Sequence, residues 1–320
     1  MSISVVIVIY KNFDLIDNLL ASLNNQLEFF DQLIISSDDP EHNFLEEIDK
    51  KICFFPELRK KKLSCLQNTR NIGIVKHVGE VLPKTCGNLI LLIGADDYLD
   101  KKYFETVCPY FEDPRIQAVT PNQFRVNNEG EVLSASNWTQ ASLKKINQQI
   151  IYENFGVPPA GSLIRRNVLK QAKFADDMIN EDEQFYFACN LLGQRKIIPD
   201  HLFYYRISTD SMSSWLRNPW VSNADLKLRI RNEFKNRIAQ NEGWLVLLTR
   251  FPYSESDEAE KNIEKNILLY GRRLRNLESR LGFHLVILYR MKIFWAYFRF
   301  EIRKIMFRTF GSSFVDGSSE

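Results

Sequence analysis

Several classes of protein are excluded by what this chain does not contain. Its five cysteines, at 53, 65, 86, 108 and 189, include no CxxC pair. Several lie in apolar surroundings, so buried free thiols in a reducing cytoplasm are expected. Neither sign of charge dominates: 42 Lys and Arg face 40 Asp and Glu. The net charge of +2 is too small to suggest nucleic acid as a partner. No uncharged apolar run is long enough to span a bilayer. The start, Met-Ser-Ile-Ser-Val-Val-Ile-Val-Ile-Tyr, lacks a basic n-region and a small-residue cleavage site, and reads as a strand rather than a signal peptide. No GxGxxG joins that strand to the next helix, which argues against a dinucleotide-binding oxidoreductase. What is there is an ordinary composition, 45% hydrophobic and 26% charged over 320 residues. That length suffices for one large α/β domain with an extension, or for two domains.

The central stretch is Leu89-Ile-Leu-Leu-Ile-Gly-Ala-Asp-Asp-Tyr-Leu-Asp100. Leu89 to Ile93 form a short apolar run of the length of a buried strand. Gly94-Ala95 ends the run, and Asp96 and Asp97 follow at once. Asp100 then reads as the N-cap of a helix carrying Phe104, Val107, Cys108 and Phe111. Two acids thus stand where a buried strand leaves its sheet, the edge at which open α/β sheets bind ligands. Hard oxygen ligands there suit Mg²⁺ or Mn²⁺ on a diphosphate. A plain Asp-Asp turn explains the same residues equally well on local grounds.

Ile3 to Ile9 is nearly all β-branched, as in a central strand buried on both faces. Leu15, Ile16, Leu19, Leu20 and Leu23 follow at helical spacing, with Asp14 as the expected cap. Gln32 to Ser37 reads as a second strand, ending in Asp38-Asp39-Pro40. Strand, helix, strand at this spacing is a βαβ unit and implies a parallel sheet. Asn68-Thr-Arg-Asn-Ile-Gly follows a basic segment, Arg59 to Lys62, and leads to a helix over about Ile74 to Leu82. Gly73 is expected at a tight turn.

The order of these motifs resembles the nucleotide-binding half of family 2 glycosyltransferases with the GT-A fold. It runs from a first apolar strand to the acid-ended Ser37-Asp-Asp, then Asn71-x-Gly73, then strand-Gly94-Ala-Asp-Asp97. Gly94 stands where that family usually has the first acid of Asp-x-Asp. The resemblance implies that Asp96 holds the metal beside Asp97, and that Asp38 or Asp39 reads the uracil edge. The backbone at Val8 to Tyr10 would flank the base, with Asn71 nearby. Lys76 falls where a basic residue often faces the diphosphate; a solvated helix face is the plainer reading. Val157-Pro-Pro-Ala-Gly-Ser resembles the loop and strand beside the acceptor pocket, with a small residue at Gly161. Asn180-Glu-Asp-Glu-Gln-Phe opens a helix ending near Gly193 and resembles the family's Glu-Asp motif. That places the catalytic base on Asp182, next to Glu181. Acids favouring a helix N-terminus are the alternative. Leu202 to Ser213 resembles the closing strand and loop, with Arg206 toward the diphosphate or pairing with a local acid.

The resemblance covers residues 2–215. It implies an α/β GT-A domain at 1–215 with a mostly parallel central sheet, and a helical extension at 216–320. The function it implies is an inverting, metal-dependent transfer from a nucleotide-diphosphate sugar, a UDP-hexose first, to a glycan or lipid-linked acceptor in bacterial polysaccharide assembly. A nucleotidyltransferase and a non-catalytic carbohydrate- or partner-binding domain are the rivals.

In the extension, Pro219 and Pro252 bracket a charged helical stretch. From Ser254, Ile263, Ile267, Tyr270, Leu274, Leu277 and Leu281 recur as in a helix-packing seam, facing either the catalytic domain or a second copy over 263–281. Residues 282–310 are aromatic and basic, with Lys or Arg at 290, 292, 299, 303, 304 and 308 against Glu301. Such a segment suits an anionic membrane surface, on the inner face of the cytoplasmic membrane for a cytoplasmic enzyme. A buried terminal helix is the alternative.

Overall fold

The structure is a computed structural model describing residues 1–41, 43–140, 160–171, 178–207, 222–250, 256–278 and 285–295, with 298 and 302. Its strands are β1 (Ile3–Ile9), β2 (Gln32–Ser37), β3 (Lys62–Gln67), β4 (Leu89–Gly94), β5 (Tyr98–Leu99), β6 (Ile116–Val126), β7 (Val132–Ala135), β8 (Leu163–Arg165) and β9 (Gln194–Arg206). Among the described residues they form one sheet in the order β3-β2-β1-β4-β8-β6-β9-β5, with β7 on β6. The long ladders, β3 to β2 to β1 to β4 and β6 to β9, are parallel. Short antiparallel ladders on both sides of β8 join these two blocks, giving the GT-A arrangement of a mostly parallel sheet.

The β-branched run of β1 is buried on both faces because each face has its own helical layer. Ile3, Val5, Ile7 and Ile9 pack with α1 (Ile16–Asn24), α2 (Phe44–Ile52) and α4 (Tyr103–Val107). Val6, one residue out of phase, joins a second core. There it meets α3 (Ile74–Val81), α5 (Arg166–Leu169), α6 (Asp182–Leu192) and α7 (Asn223–Arg250).

Two helix starts differ from expectation. Asp14 lies inside a short 3-10 turn, Phe13–Leu15, and α1 begins after it with no side-chain cap. Asp100 sits two residues before the N-cap of α4, Lys102, whose N–H its Oδ1 accepts at 2.9 Å. Asp100 shapes the turn before α4 instead of capping it. Cys53 and Cys86 are exposed, against the expectation of buried thiols, while Cys189 is buried and all five are free.

The helical extension shares the second core, through Trp244, Leu247, Ala259 and Ile263. Helix α8 (Ser256–Glu278) lies on α7, and the seam residues Ile263, Tyr270 and Leu277 are buried there by the chain itself. The packing surface expected for a second copy is thus occupied by α7; Leu281 falls outside the described residues. Residues 285–295 are helical and bury Val286 and Ile293 against α7 and α8. Among the described residues no helix is long and apolar enough to cross a membrane.

Candidate active site at the carboxyl ends of β1 and β4

Strand β1 lies between β2 and β4, so the chain order reverses at the β1/β4 seam. That is the crevice where open α/β sheets take ligands. Both strands deliver polar groups into it. Beyond β1, Tyr10 is 46% exposed and Lys11 adopts φ 67°, the left-handed region, rare for a residue with a side chain. The turn it makes brings Asn12 back, and Asn12 Nδ2 donates to Asp96 Oδ2 at 3.3 Å.

Asp96 and Asp97 do different work. Asp96 is half-buried, and burial pushes its pKa up, opposed by Arg206 and Asn12. Asp97 is buried, and its Oδ1 accepts the Arg206 backbone N–H at 2.8 Å, tying the end of β4 to the end of β9. Burial, with the charge of Asp96 beside it, raises its pKa far above the ordinary value. A Cβ at Gly94 would stand 2.7 Å from Asp96 Oδ1, the end of a side chain that can turn aside, so an acid at this position would shift the Asp96 carboxylate.

Arg206 is 1% exposed. Its Nε donates to the Asp96 carbonyl at 2.8 Å, and its Nη1 to the carbonyls of Asn127 and Asn128 in the β6–β7 turn. Its Nη2 is buried with no hydrogen-bond partner among the described residues. The local pairing expected as its alternative role is therefore with carbonyls, not with an acid. The Ser-x-Ser loop after it, Ser208 to Ser213, lies outside the described residues.

At the end of β2, Asp38 is buried and spends both oxygens on the following loop. It accepts from the backbone N–H of Ile72 and Gly73 and from Asn68 Nδ2, the last two at 2.8 and 2.9 Å. Asp39 is half-buried, and among the described residues only its Oδ1 is held, by Glu41 N–H at 3.1 Å. Asn71 closes a turn by accepting the Gly73 N–H at 2.9 Å, and Gly73 takes φ 82° as its position requires. Lys76 is exposed on the first turn of α3.

The second acidic group opens α6. Asp182 Oδ1 accepts from Asn180 Nδ2 at 2.7 Å and from its neighbour's N–H, that of Glu183, at 2.9 Å. No hydrogen bond from another described residue reaches its Oδ2. Glu181 and Asp182 are half-buried, and loss of solvent raises both carboxyl pKa values, that of Glu181 further through repulsion by Asp182. One turn along α6, the Tyr186 hydroxyl lies 3.1 Å from Ser162 Oγ. Ser162 directly precedes β8, whose Leu163 pairs with Leu91 of β4, the strand that ends two residues before Asp96. The Tyr186–Ser162 contact thus links α6 to the strand beside β4. Gly161 itself takes φ 80°, and a Cβ there would overlap the Phe203 ring at 2.3 Å. Val157 to Pro159 of the expected acceptor loop lie outside the described residues.

Among the described residues no three carboxylate, imidazole or thiol groups gather to hold a metal ion. Mg²⁺ or Mn²⁺ on a diphosphate does not need such a cage, since phosphate oxygens and water complete the coordination of one or two carboxylates. Asp96 fits that requirement: it is half-buried and held only loosely by Asn12. Asp97 fits it less well, with one oxygen committed to the Arg206 N–H. Sequence reasoning missed Lys11, Asn12 and Asn180. Asn12 is 84 residues from its partner, and nothing local marks it.

In comparison with solved structures, residues 1–349 of Staphylococcus aureus TarS match with a TM-score of 0.58 at 14% identity, over 98% of this chain and 89% of that one. The same protein in complex with UDP-GlcNAc matches at TM-score 0.54 and 17% identity, over 97% and 92%. The mannosyltransferase PcManGT from Pyrobaculum calidifontis, in complex with GDP-Man and Mn²⁺, matches at TM-score 0.52 and 10% identity, over 97% and 87%. At these identities the likeness is one of fold, GT-A. No curated protein matches the sequence. The sequence model described as glycosyl transferase family 2 matches residues 4–172, more than half of the chain, from the second residue of β1 through β8. With Asp38, Asp96 and Gly161 inside the matched segment, this chain belongs to glycosyl transferase family 2.

Proposed function

We propose that the protein is an inverting glycosyltransferase that moves a hexose from a UDP-sugar to a hydroxyl of a glycan or lipid-linked acceptor in surface-polysaccharide assembly. The observation that carries this is the half-buried Asp96 at the β1/β4 switch point of a family 2 chain. Asp39, whose Oδ2 accepts no hydrogen bond from a described residue, is the better candidate to read the base, while Asp38 builds the loop beside it. Tyr10 and Asn71 border the nucleotide, and Lys76 faces its phosphates. TarS in complex with UDP-GlcNAc supports a uridine donor.

Asp182 takes the proton of the acceptor hydroxyl as that oxygen attacks the anomeric carbon. The bond to the diphosphate breaks, its electron pair leaves with the phosphate oxygen, and a single displacement inverts the centre. Glu181 lines the acceptor side with Gly161. The unpartnered Nη2 of Arg206 offers a donor near the charge that grows on the leaving group. When bound, Mg²⁺ or Mn²⁺ held through Asp96, with Asp97 behind it, supplies positive charge to that diphosphate.

A membrane surface is the proposed setting. The helix at 285–295 turns Leu288, Met291 and Trp295 outward, and Phe298 and Ile302 continue that spacing in the exposed state. The basic excess of 282–310 selects an anionic bilayer.

The test is a donor screen reading release of free nucleotide with Mn²⁺ or Mg²⁺ present. Release from a UDP-hexose, falling to background in Asp96→Ala, is expected. Tight sugar binding with no turnover of any donor would contradict the proposal and favour a binding module.

A further inference from the structure

Helix α7 belongs to the extension, outside the segment that matches the family model. Yet it reaches the start of α6 through a buried polar network. Asn236 Oδ1 accepts the Ile179 N–H at 2.7 Å, and Asn236 Nδ2 donates to Asn180 Oδ1 at 3.1 Å. Gln240, one turn on, donates to the same Asn180 Oδ1 at 2.8 Å, and its carbonyl accepts from Gln184 Nε2 at 3.0 Å. Arg237 between them grips both oxygens of Glu183 at 2.9 Å. Asn236, Gln240, Glu183 and Gln184 are all buried, and a Cβ on Gly243 would stand 2.9 Å from Gln184 Oε1.

Apolar side chains of the same volume would hold two helices together at least as well. Directed hydrogen bonds add orientation. Two donors converge on Asn180 Oδ1, which fixes the flip of that amide and aims its Nδ2 at Asp182 Oδ1, 2.7 Å away. Asp182 Oδ1 is thereby engaged, and Oδ2 is the oxygen left for an acceptor proton.

We infer that Asn236 and Gln240 are positioning residues for Asp182, acting through Asn180, so that the C-terminal extension completes the active site. This rests on the reading of Asp182 as the base. The groups facing Asp182 are Glu181 and Glu183 beside it, Arg237 from α7, Tyr186 one turn along α6 and Arg195 from β9. The Asn180 hydrogen bond favours its charged form.

The experiment compares four forms of the full chain: wild type, Asn236→Leu/Gln240→Met, Asn180→Ala and Asp182→Asn. The double variant removes both donors while keeping volume, and Asn180→Ala changes only the half-buried link. In both, kcat is expected to fall roughly 10- to 100-fold, the scale for loss of groups that orient a reacting residue. Donor affinity is expected within about twofold of wild type, since only interactions strengthened in the transition state change kcat alone. The acid limb of the kcat profile is expected to move to higher pH. If Asp182→Asn loses turnover while both other variants keep wild-type kcat and the wild-type limb, the positioning proposal is wrong and the base assignment stands. If Asp182→Asn itself turns over normally, the base assignment has failed instead. A fall in kcat with an unmoved limb would mark a merely structural network and also overturn the proposal. Should the double variant not fold, Asn180→Ala decides alone.

Discussion

At the scale of single residues, the site consists of like groups separated by what they touch. Asp96 and Asp97 are adjacent in sequence, but only Asp97 is buried against a backbone N–H. Its folded pKa is raised, so the stability it contributes is present below the ordinary aspartate range and lost as pH rises through the raised value. Asparagine accepts the same N–H bond and stays neutral. Asp97→Asn, metal-free, is therefore expected to melt at or above wild type at pH 8, with the difference shrinking on acidification; thermal melts across pH check it. A melting point several degrees below wild type at pH 8 would show that the charge itself holds the latch. Asp182 carries a second pH dependence. Burial raises its pKa, and a base must be ionised, so activity is expected to fall on acidification at a pH above the usual aspartate value. A kcat profile flat down to pH 4 would contradict that. Gly161→Ala is expected to lose about 1–3 kcal/mol through overlap with Phe203, measured by chemical denaturation. The acids were legible in the sequence because strand ends concentrate function. The division of labour between Asp38 and Asp39 was not, since it depends on loop N–H groups more than 30 residues away.

Among elements, the clearest sequence signals gave the clearest structure. The apolar runs of β1, β2 and β4 are the strands read from them, and Gly193 ends α6 as its sequence suggests. Strand β3 went unread because it starts in a basic segment and sits at the sheet edge, where it is only partly buried and needs no apolar run. Helix α2, with Phe44, Ile48 and Ile52 buried four apart, carries a readable stripe that is only nine residues long. Arginine 206 shows the limit from the other side: its partners are carbonyls of a distant hairpin turn, which no periodicity encodes. The junction of α7 with α6 is apolar as well as polar, with Trp244 buried and stacked on Phe187 at 5.1 Å. Trp244→Ala is expected to cost about 3–5 kcal/mol. Because Phe187 lies on α6, protection of the α6 amides from hydrogen exchange is expected to fall with it; unchanged protection would show that α7 does not support the helix bearing Asp182.

For the whole molecule, the proposed function gives the sheet the donor side and the extension the support of the acceptor side, while the outer helix presents exposed Leu288, Met291 and Trp295. By its sequence the seam faces either the catalytic domain or a second copy; Tyr270 and Leu277 pack instead on α7, another helix of the extension, and Ile263 reaches the second core. On the membrane reading, Met291→Glu/Trp295→Glu changes only exposed positions and is expected to abolish flotation with vesicles containing about one-third anionic lipid, while leaving the melting point unchanged. Flotation equal to wild type would remove the membrane from the account without touching the chemistry. The chemistry is tested most directly by measuring UDP-sugar binding and turnover on the same samples, by calorimetry and nucleotide release in Mn²⁺. Asp182→Asn is expected to bind the donor within about twofold of wild type and lose turnover by roughly 10²–10⁴-fold, the range for removal of a general base. Asp96→Ala is expected to lose the Mn²⁺-dependent part of donor binding. Donor binding lost in Asp182→Asn, or Mn²⁺-dependent binding retained in Asp96→Ala, would contradict the assignment of these two acids to the two sides of one transferred sugar.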